Sequence, residues 1–402
     1  MRAHGRGRSC RVNLRAQNTR NQGESGERTN PPRLITPCGT GEPHTSRGKQ
    51  KQAAGKRELC GGRAGYSRTA EQHQRRCFHY GSHRDKDKGR QVRILLTGGA
   101  GFIGSHIADA YQAAGHEVLV LDSLWEHGGG QRQNVPERAL FVHMDVRDDK
   151  LARIFQEFKP EIVNHHAAQH SVAISSRDPK YDADVNVMGL LNVLDNSVRS
   201  NVKKVIFASS GATFGTPDKL PMDESTPQRP ESPYGITKMV SEHYLRFYKA
   251  QHGLDFTALR YGNVYGPRQD PNGEAGVISI FIGKFLSGQG VRIDWDGEQT
   301  RDYVFVKDVA RANAIALEAG SGNCYCIGTN KRTSVNDIYR TLCEITGVQP
   351  PVTQGPKRPG DARDAQFDYS LAKRELGWEP HTQLLDGMRE TYEYFKGVLP
   401  VS

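Results

Sequence analysis

Tyr234 stands four residues before Lys238 in the run Ser232-Pro233-Tyr234-Gly-Ile-Thr-Lys238. Serine as an N-cap followed by proline in the first turn reads as a helix start, and residues four apart on a helix share a face. A phenol next to an ammonium is a candidate base. Its reference pKa near 10 keeps it protonated at neutral pH, and bringing it down to pH 7 takes roughly 4 kcal/mol of differential stabilisation, which a cation one turn away helps to supply. Alone, Tyr-x-x-x-Lys is usually a solvated helix face. Here Ser209-Ser210 directly follows the strand-like run Val205–Ala208, and 130 residues before Tyr234 a glycine fingerprint ends.

That fingerprint is Gly98-Gly-Ala-Gly101-Phe102-Ile103-Gly104, between the apolar run Val92–Thr97 and a helical pattern that continues to Ala114. Spaced glycines at a strand-to-helix turn let the backbone approach a pyrophosphate, while the helix N-terminus offers unpaired N–H groups and a positive dipole. Asp122 ends the next strand, Glu117–Asp122. A carboxylate there accepts hydrogen bonds from an adenosine ribose and repels a 2′-phosphate, which favours NAD over NADP.

These residues need elements to hold them. Further short apolar runs recur at Leu140–His143, Ile162–His165 and Phe256–Arg260 with helical stretches between them. Alternating strands and helices give parallel βαβ units, and continuously apolar strands give a sheet covered on both faces. The expected fold is α/β: a Rossmann-type doubly wound parallel sheet over residues 91–265. A smaller C-terminal α/β substrate-binding lobe takes 266–300 and 326–402, and 301–325 returns to the main sheet. Helices are expected at Ile278–Leu286, Asp308–Ala319, Val335–Thr346 (capped by Thr333 or Ser334) and Leu384–Phe395, with a strand at Tyr303–Val306.

Residues 1–90 differ from the rest. They carry 21 Lys+Arg against 7 Asp+Glu, a balance of +14 in a chain of net +10, so residues 91–402 carry −4. The segment is rich in Gly, Arg, Gln and Ser and has no apolar periodicity, so it cannot bury enough surface to offset its ordering entropy and is expected to be disordered. An inert or misassigned extension is the simpler reading, since no methionine follows Met1 until Met144. An arginine-glycine arm following a nucleic-acid backbone is the other. No apolar run reaches the 18 or so residues needed to cross a bilayer, so a soluble cytoplasmic enzyme is expected. The seven cysteines show no metal-ligand spacing, which leaves them as reduced thiols and makes a metal site unexpected.

Over residues 92–396 the chain resembles the extended short-chain dehydrogenase/reductase family, and within it the UDP-glucose 4-epimerase-like members. The matching features are the glycine run at 98–104, Asp145-Val146, His166-Ala167-Ala168-Gln169, Asn186, Ser210, Tyr234 with Lys238, Leu259–Arg268 and Gly297–Tyr303. The resemblance implies that Asp145 and Val146 border the adenine and that Ala167 and Ala168 line the cofactor cleft. Ser210 would hold the sugar hydroxyl, Tyr234 would act as base, and Lys238 would contact the ribose and tune the phenol. Asn263, Arg301 and Arg358 would be the nucleotide-sugar ligands, the guanidinium forks suiting a diphosphate. One departure is Phe214, where the family usually has tyrosine; it leaves open whether Ser209 or Ser210 faces the sugar.

The scaffold carries several reactions, so the fold alone does not choose among them. Dehydratases of the family place Asp-Glu beside the catalytic serine or threonine, and this chain has Gly211 and Ala212 there. The resemblance therefore implies epimerisation of a UDP-sugar at C4 through a transient ketone, with Arg268–Gly276 and the C-terminal lobe covering the sugar. A nucleotide-sugar dehydrogenase or reductase, or a non-catalytic NAD-binding regulator, are the alternatives. Ala365, seven residues after Arg358, falls where some relatives carry a bulky residue that limits the C2 substituent, which implies room for N-acetylated sugars. A homodimer through helices near 181–200 and 233–251 is also implied. The stripe Val187, Leu190, Leu191 and Leu194 is equally what a core-facing helix shows.

Overall fold

The computed structural model describes residues 90–125, 128–271, 276–357 and 362–399. The expectations for residues 1–89 therefore lie outside the described residues.

Strand and helix alternate from the first described element. Strands β1 (Arg93–Thr97), β2 (Glu117–Asp122) and β3 (Leu140–His143) are followed by β4 (Ile162–His165), β5 (Lys204–Ser210) and β6 (Asp255–Tyr261). Helices α1 (Phe102–Ala113), α2 (Leu151–Phe158), α3 (Val172–Arg177), α4 (Pro179–Ala183), α5 (Gly189–Arg199) and α6 (Pro233–His252) connect them. Later come strands β7 (Asn263–Tyr265), β8 (Val291–Asp294), β9 (Thr300–Arg301), β10 (Tyr303–Phe305), β11 (Asn323–Ile327), β12 (Thr333–Ser334) and β13 (Val352–Gly355). They are interleaved with α7 (Val277–Leu286), α8 (Val306–Ile315), α9 (Val335–Thr346), α10 (Ser370–Leu376) and α11 (Leu384–Val398).

The main sheet is parallel with order β11-β6-β5-β4-β1-β2-β3. Strand order reverses between β1 and β4, and at such a switch point the connections leave on opposite faces and open a crevice at the carboxyl ends of the strands. Ile94, Leu95 and Leu96 are fully enclosed, as a strand covered on both faces must be. Each such side chain contributes about 1.5–3 kcal/mol of burial.

After β6 the chain divides its work. Helix α8 packs against α1, and β11 extends the sheet beyond β6, while β10 pairs instead with β7. A second core gathers Ile278, Phe281, Ile282, Ile338, Leu342, Met388 and Phe395 from α7, α9 and α11. Strands β8 and β13 pair beside it. Ser334 caps α9, with Asp337 completing a reciprocal capping box. The pairing of β8 with β13, helix α10 and a π-helical turn at Asp184–Met188 have no counterpart in the sequence reading. The stripe on α5 faces inward, with Leu190 and Leu194 fully buried in the core. The exposed apolar residues nearby are Val172, Met188, Ile236 and Phe247.

Candidate active site

The glycine turn after β1 is shaped by contacts that exclude side chains. Gly98 has φ +70°, and a Cβ there would lie 2.5 Å from the backbone nitrogen of Ala167. A Cβ on Gly104 would lie 2.2 Å from the Gly98 carbonyl oxygen. At Gly101 the nearest atom is 3.4 Å away, so that position has room and borders the cleft, as do Phe102 and Ile103. Asp122, at the end of β2, is buried. Its Oδ2 accepts from the Ala100 N–H and its Oδ1 from the Leu124 N–H, both at 2.9 Å. Burial pushes its carboxyl pKa up, and these two backbone donors pull it back. Asn134 adds a brace by donating to the Ala100 carbonyl at 3.1 Å.

These groups, with Asp145, Val146, Ala167, Ala168, Tyr234 and Lys238, line one cleft of about 510 Å³ at the β1/β4 switch point. Asp145 is gripped by Arg147, Nη2 to Oδ2 at 2.7 Å, which holds its carboxyl below the usual range. The guanidinium also reaches Asp184 at 2.6 Å.

The catalytic candidates meet at the other end of the cleft. Ser232 caps α6, accepting the Gly235 N–H at 3.1 Å, and Pro233 occupies the first turn. Lys238 is buried; its Nζ donates to the Ala208 carbonyl at 2.9 Å and lies 5.7 Å from the centre of the Tyr234 ring. Burial lowers its pKa to about 8, with the charge of Asp182 acting in the opposite direction. Tyr234 is pushed up to about 12, chiefly by burial, while a hydrogen bond from Ser210 draws it down and Asp182 adds to the rise. In the protein by itself burial dominates the phenol, opposing the tuning expected from Lys238.

The two serines at the end of β5 point apart. The Ser210 Oγ accepts the Ala212 N–H at 3.1 Å, and its hydroxyl favours the ionised form of Tyr234. Ser209 donates to Glu242 at 2.6 Å, inside a buried ion pair that Glu242 makes with Arg260. Phe214 is fully enclosed by Met222, Cys326 and Phe367, with the Arg260 guanidinium over its ring, so a phenolic oxygen there would have needed a buried partner.

Asn263 and Arg301 do not line the cleft. Asn263 is exposed on the β7–β10 ladder, and Arg301 sits on the β9–β12 ladder with Nη1 donating to the Thr300 carbonyl at 2.8 Å. Asp302, between β9 and β10 in the chain, is buried and accepts from the backbone N–H groups of Thr329, Asn330 and Phe367, which ties this link to the segment after β11 and to Phe367. Arg358 lies outside the described residues. Arg268 turns to Asp109 on α1 at 2.7 Å, while Gln269 and Asp270 border the cleft. Arg147, Asn134 and Asp182 escaped sequence reasoning because each also binds a partner remote in the chain, Asp184, Ala100 and Thr237 respectively. Among the described residues no cluster of side chains could hold a metal ion.

Residues 94–328 match the sequence profile of the NAD dependent epimerase/dehydratase family. A UDP-glucose 4-epimerase from Mycolicibacterium smegmatis is 40% identical over 312 residues, covering 76% of this chain and 99% of that protein. Among solved structures, UDP-glucose 4-epimerase from Thermotoga maritima, crystallised with UDP-glucose, is similar with 46% identity and a TM-score of 0.75, covering 77% of this chain and all of that one. The Thermus thermophilus UDP-glucose 4-epimerase complex with NAD is similar at 42% identity and a TM-score of 0.73, with the same coverage of 77% and 100%. The chain belongs to the NAD-dependent epimerase/dehydratase family.

Proposed function

We propose that the protein interconverts UDP-glucose and UDP-galactose, or closely related nucleotide-sugars, by NAD-dependent epimerisation at C4. The observation that carries this reading is the Tyr234 phenol with the Lys238 ammonium 5.7 Å from its ring centre, both lining the glycine-bordered cleft. The cleft fits a dinucleotide: backbone fills the space beside Gly98 and Gly104, room remains at Gly101, and Asp122 stands where a ribose is read. Gly98, Gly101, Gly104, Asp122 and Lys238 would hold NAD, which would supply reversible hydride transfer at the sugar C4.

The chain's own groups handle the proton and the sugar. Tyr234, once ionised, takes the proton of the C4 hydroxyl and gives it back after the ketone has turned. The Ser210 Oγ already accepts from Ala212, which orients its hydrogen toward the phenol and the sugar oxygen. Lys238 keeps a positive charge within the same enclosed space, where electrostatic interactions are strong. The resemblance makes Asn263 and Arg301, which stand outside the cleft, and Arg358 the residues to hold the nucleotide beyond it while the hexose rotates, and the lobe of α7, α9 and α11 would shield the ketone from water. The small Ala365 admits an N-acetyl group at C2. Two copies pair through the exposed apolar face of Val172, Met188, Ile236 and Phe247.

The deciding experiment incubates the NAD-loaded protein with UDP-glucose, UDP-galactose and their N-acetylated forms, separates the products by chromatography and follows absorbance at 340 nm. Interconversion without net reduced cofactor is expected. Steady accumulation of NADH would reassign the protein as a dehydrogenase.

A further inference from the structure

The catalytic helix begins against a carboxylate that the chemistry above leaves unused. Asp182, on the short helix α4, is completely buried. Its Oδ1 accepts from Gln169 Nε2 at 2.8 Å and from Asn186 Nδ2 at 3.0 Å, and its Oδ2 accepts from Thr237 Oγ1 at 2.9 Å. Thr237 lies between Tyr234 and Lys238 in the chain, and the same hydroxyl is 3.0 Å from the Tyr234 carbonyl. One hydroxyl hydrogen serves one acceptor at full strength, and an ionised carboxylate is the better of the two. Asn186 sits on the π-helical turn, a local winding frequent at functional sites. Its side chain grips the Gln169 backbone from both sides, accepting the N–H at 2.8 Å and donating to the carbonyl at 2.9 Å. The loop after β4, the π-turn and the first turn of α6 thus converge on one carboxylate.

Three neutral donors alone do not offset the burial of a full negative charge, so the nearby cation matters. The charge of Asp182 strengthens the hold of Lys238 on its proton and opposes ionisation of Tyr234. The other ionisable groups around the pair are His165, His166 and His170 at and after β4, Tyr181 on α4, Asp184 on the π-turn and Tyr261 on β6. Burial drives His165 and His166 down to about 3, so they are neutral near pH 7. His170 is exposed, and Asp184 is bound to Arg147.

We propose that Asp182 is a positioning residue for the catalytic pair: its hydrogen bonds to Gln169, Asn186 and Thr237 fix the start of α6, and it sets a negative charge within the enclosed site. The inference rests on Tyr234 and Lys238 being that pair.

Asp182→Asn keeps the volume and removes the charge. With NAD saturating, kcat for sugar interconversion is measured across about pH 5 to 10. Both limbs of the profile are expected to move to lower pH by about one unit, because Lys238 then gives up its proton earlier and Tyr234 ionises more readily. NAD binding, followed separately by calorimetry, stays within about threefold of the parent. Thr237→Val removes the hydroxyl and leaves the charge, so it lowers kcat with the limbs in place. A carboxylate that only supports the fold depresses kcat equally at every pH, and that result overturns the proposal. Should the Asn variant not fold, Asp182→Ser must give the same displacement, and misfolding of both variants also overturns it. If the parent protein interconverts no sugar, the reading of the catalytic pair fails. If the parent is active and the limbs stay put, only the role of Asp182 fails.

Discussion

Ser209 donates its hydroxyl to Glu242 at 2.6 Å, inside the buried Glu242–Arg260 pair, while the Oγ of its neighbour Ser210 accepts the Ala212 N–H at 3.1 Å. Adjacent residues of a strand point to opposite faces, so the two hydroxyls have different partners, and of the two residues Ser209 borders the cleft. Ser210→Ala is expected to lower kcat by about 10²–10³ with stability nearly unchanged. Ser209→Ala leaves Glu242 short of a donor, costing about 1–3 kcal/mol in urea unfolding with kcat within a few-fold of the parent. Steady-state kinetics and denaturation curves on both variants test the assignment, and exchanged effects would reverse it.

Tyr234→Phe keeps the ring and its packing and removes the acid-base group. Sugar interconversion should fall by about 10²–10⁴-fold while NAD affinity holds, read by chromatography of products and by calorimetry. Undiminished turnover would rule out the phenol as base.

Three glycines in one loop should respond differently to the same added methyl group. Gly98→Ala and Gly104→Ala force a Cβ into backbone at 2.5 and 2.2 Å, so both should lose stability and NAD binding together. Gly101→Ala meets nothing nearer than 3.4 Å, so it should melt like the parent and lose NAD affinity alone. Thermal melts with and without NAD separate the two outcomes.

The buried Glu242–Arg260 pair predicts the acid limb of stability. Burial pushes the Glu242 carboxyl up, but the hydrogen bonds and charge of Arg260, with Ser209 and Gln228, outweigh it and leave the pKa below the usual range. A carboxyl lowered on folding stabilises above its unfolded pKa of about 4.3 and loses that contribution as pH falls through the folded value. Glu242→Gln should cost about 3–5 kcal/mol at pH 7 by leaving Arg260 buried without its counter-ion. Its unfolding free energy should also vary less with pH than the parent's below about pH 4.5.

Phe247 is 52% exposed on the outer face of α6, in the patch assigned to pairing of two copies. Phe247→Glu should convert a dimer into a monomer in light scattering, with far-UV circular dichroism unchanged. A parent protein that already runs as a monomer excludes the pairing.

The sequence by itself determined the features that depend on local spacing. Strand β1 running into Gly98–Gly104, Asp122 closing β2, and the Ser232-capped helix that puts Tyr234 and Lys238 on one face all follow from rules spanning a few residues, and each stands where that spacing puts it. Tertiary structure decided everything that depends on which side of an element meets another. It turned Leu190 and Leu194 inward, left Met188 and Phe247 outside, brought Asn323–Ile327 alongside β6, and gave Ser209 and Ser210 different hydrogen-bond partners. Asp182 and Thr237 are 55 residues apart and acquire meaning only when α4 packs on α6. Periodicity fixes the face a residue occupies within its own element, whereas the partner of that face is set by the closing of the core.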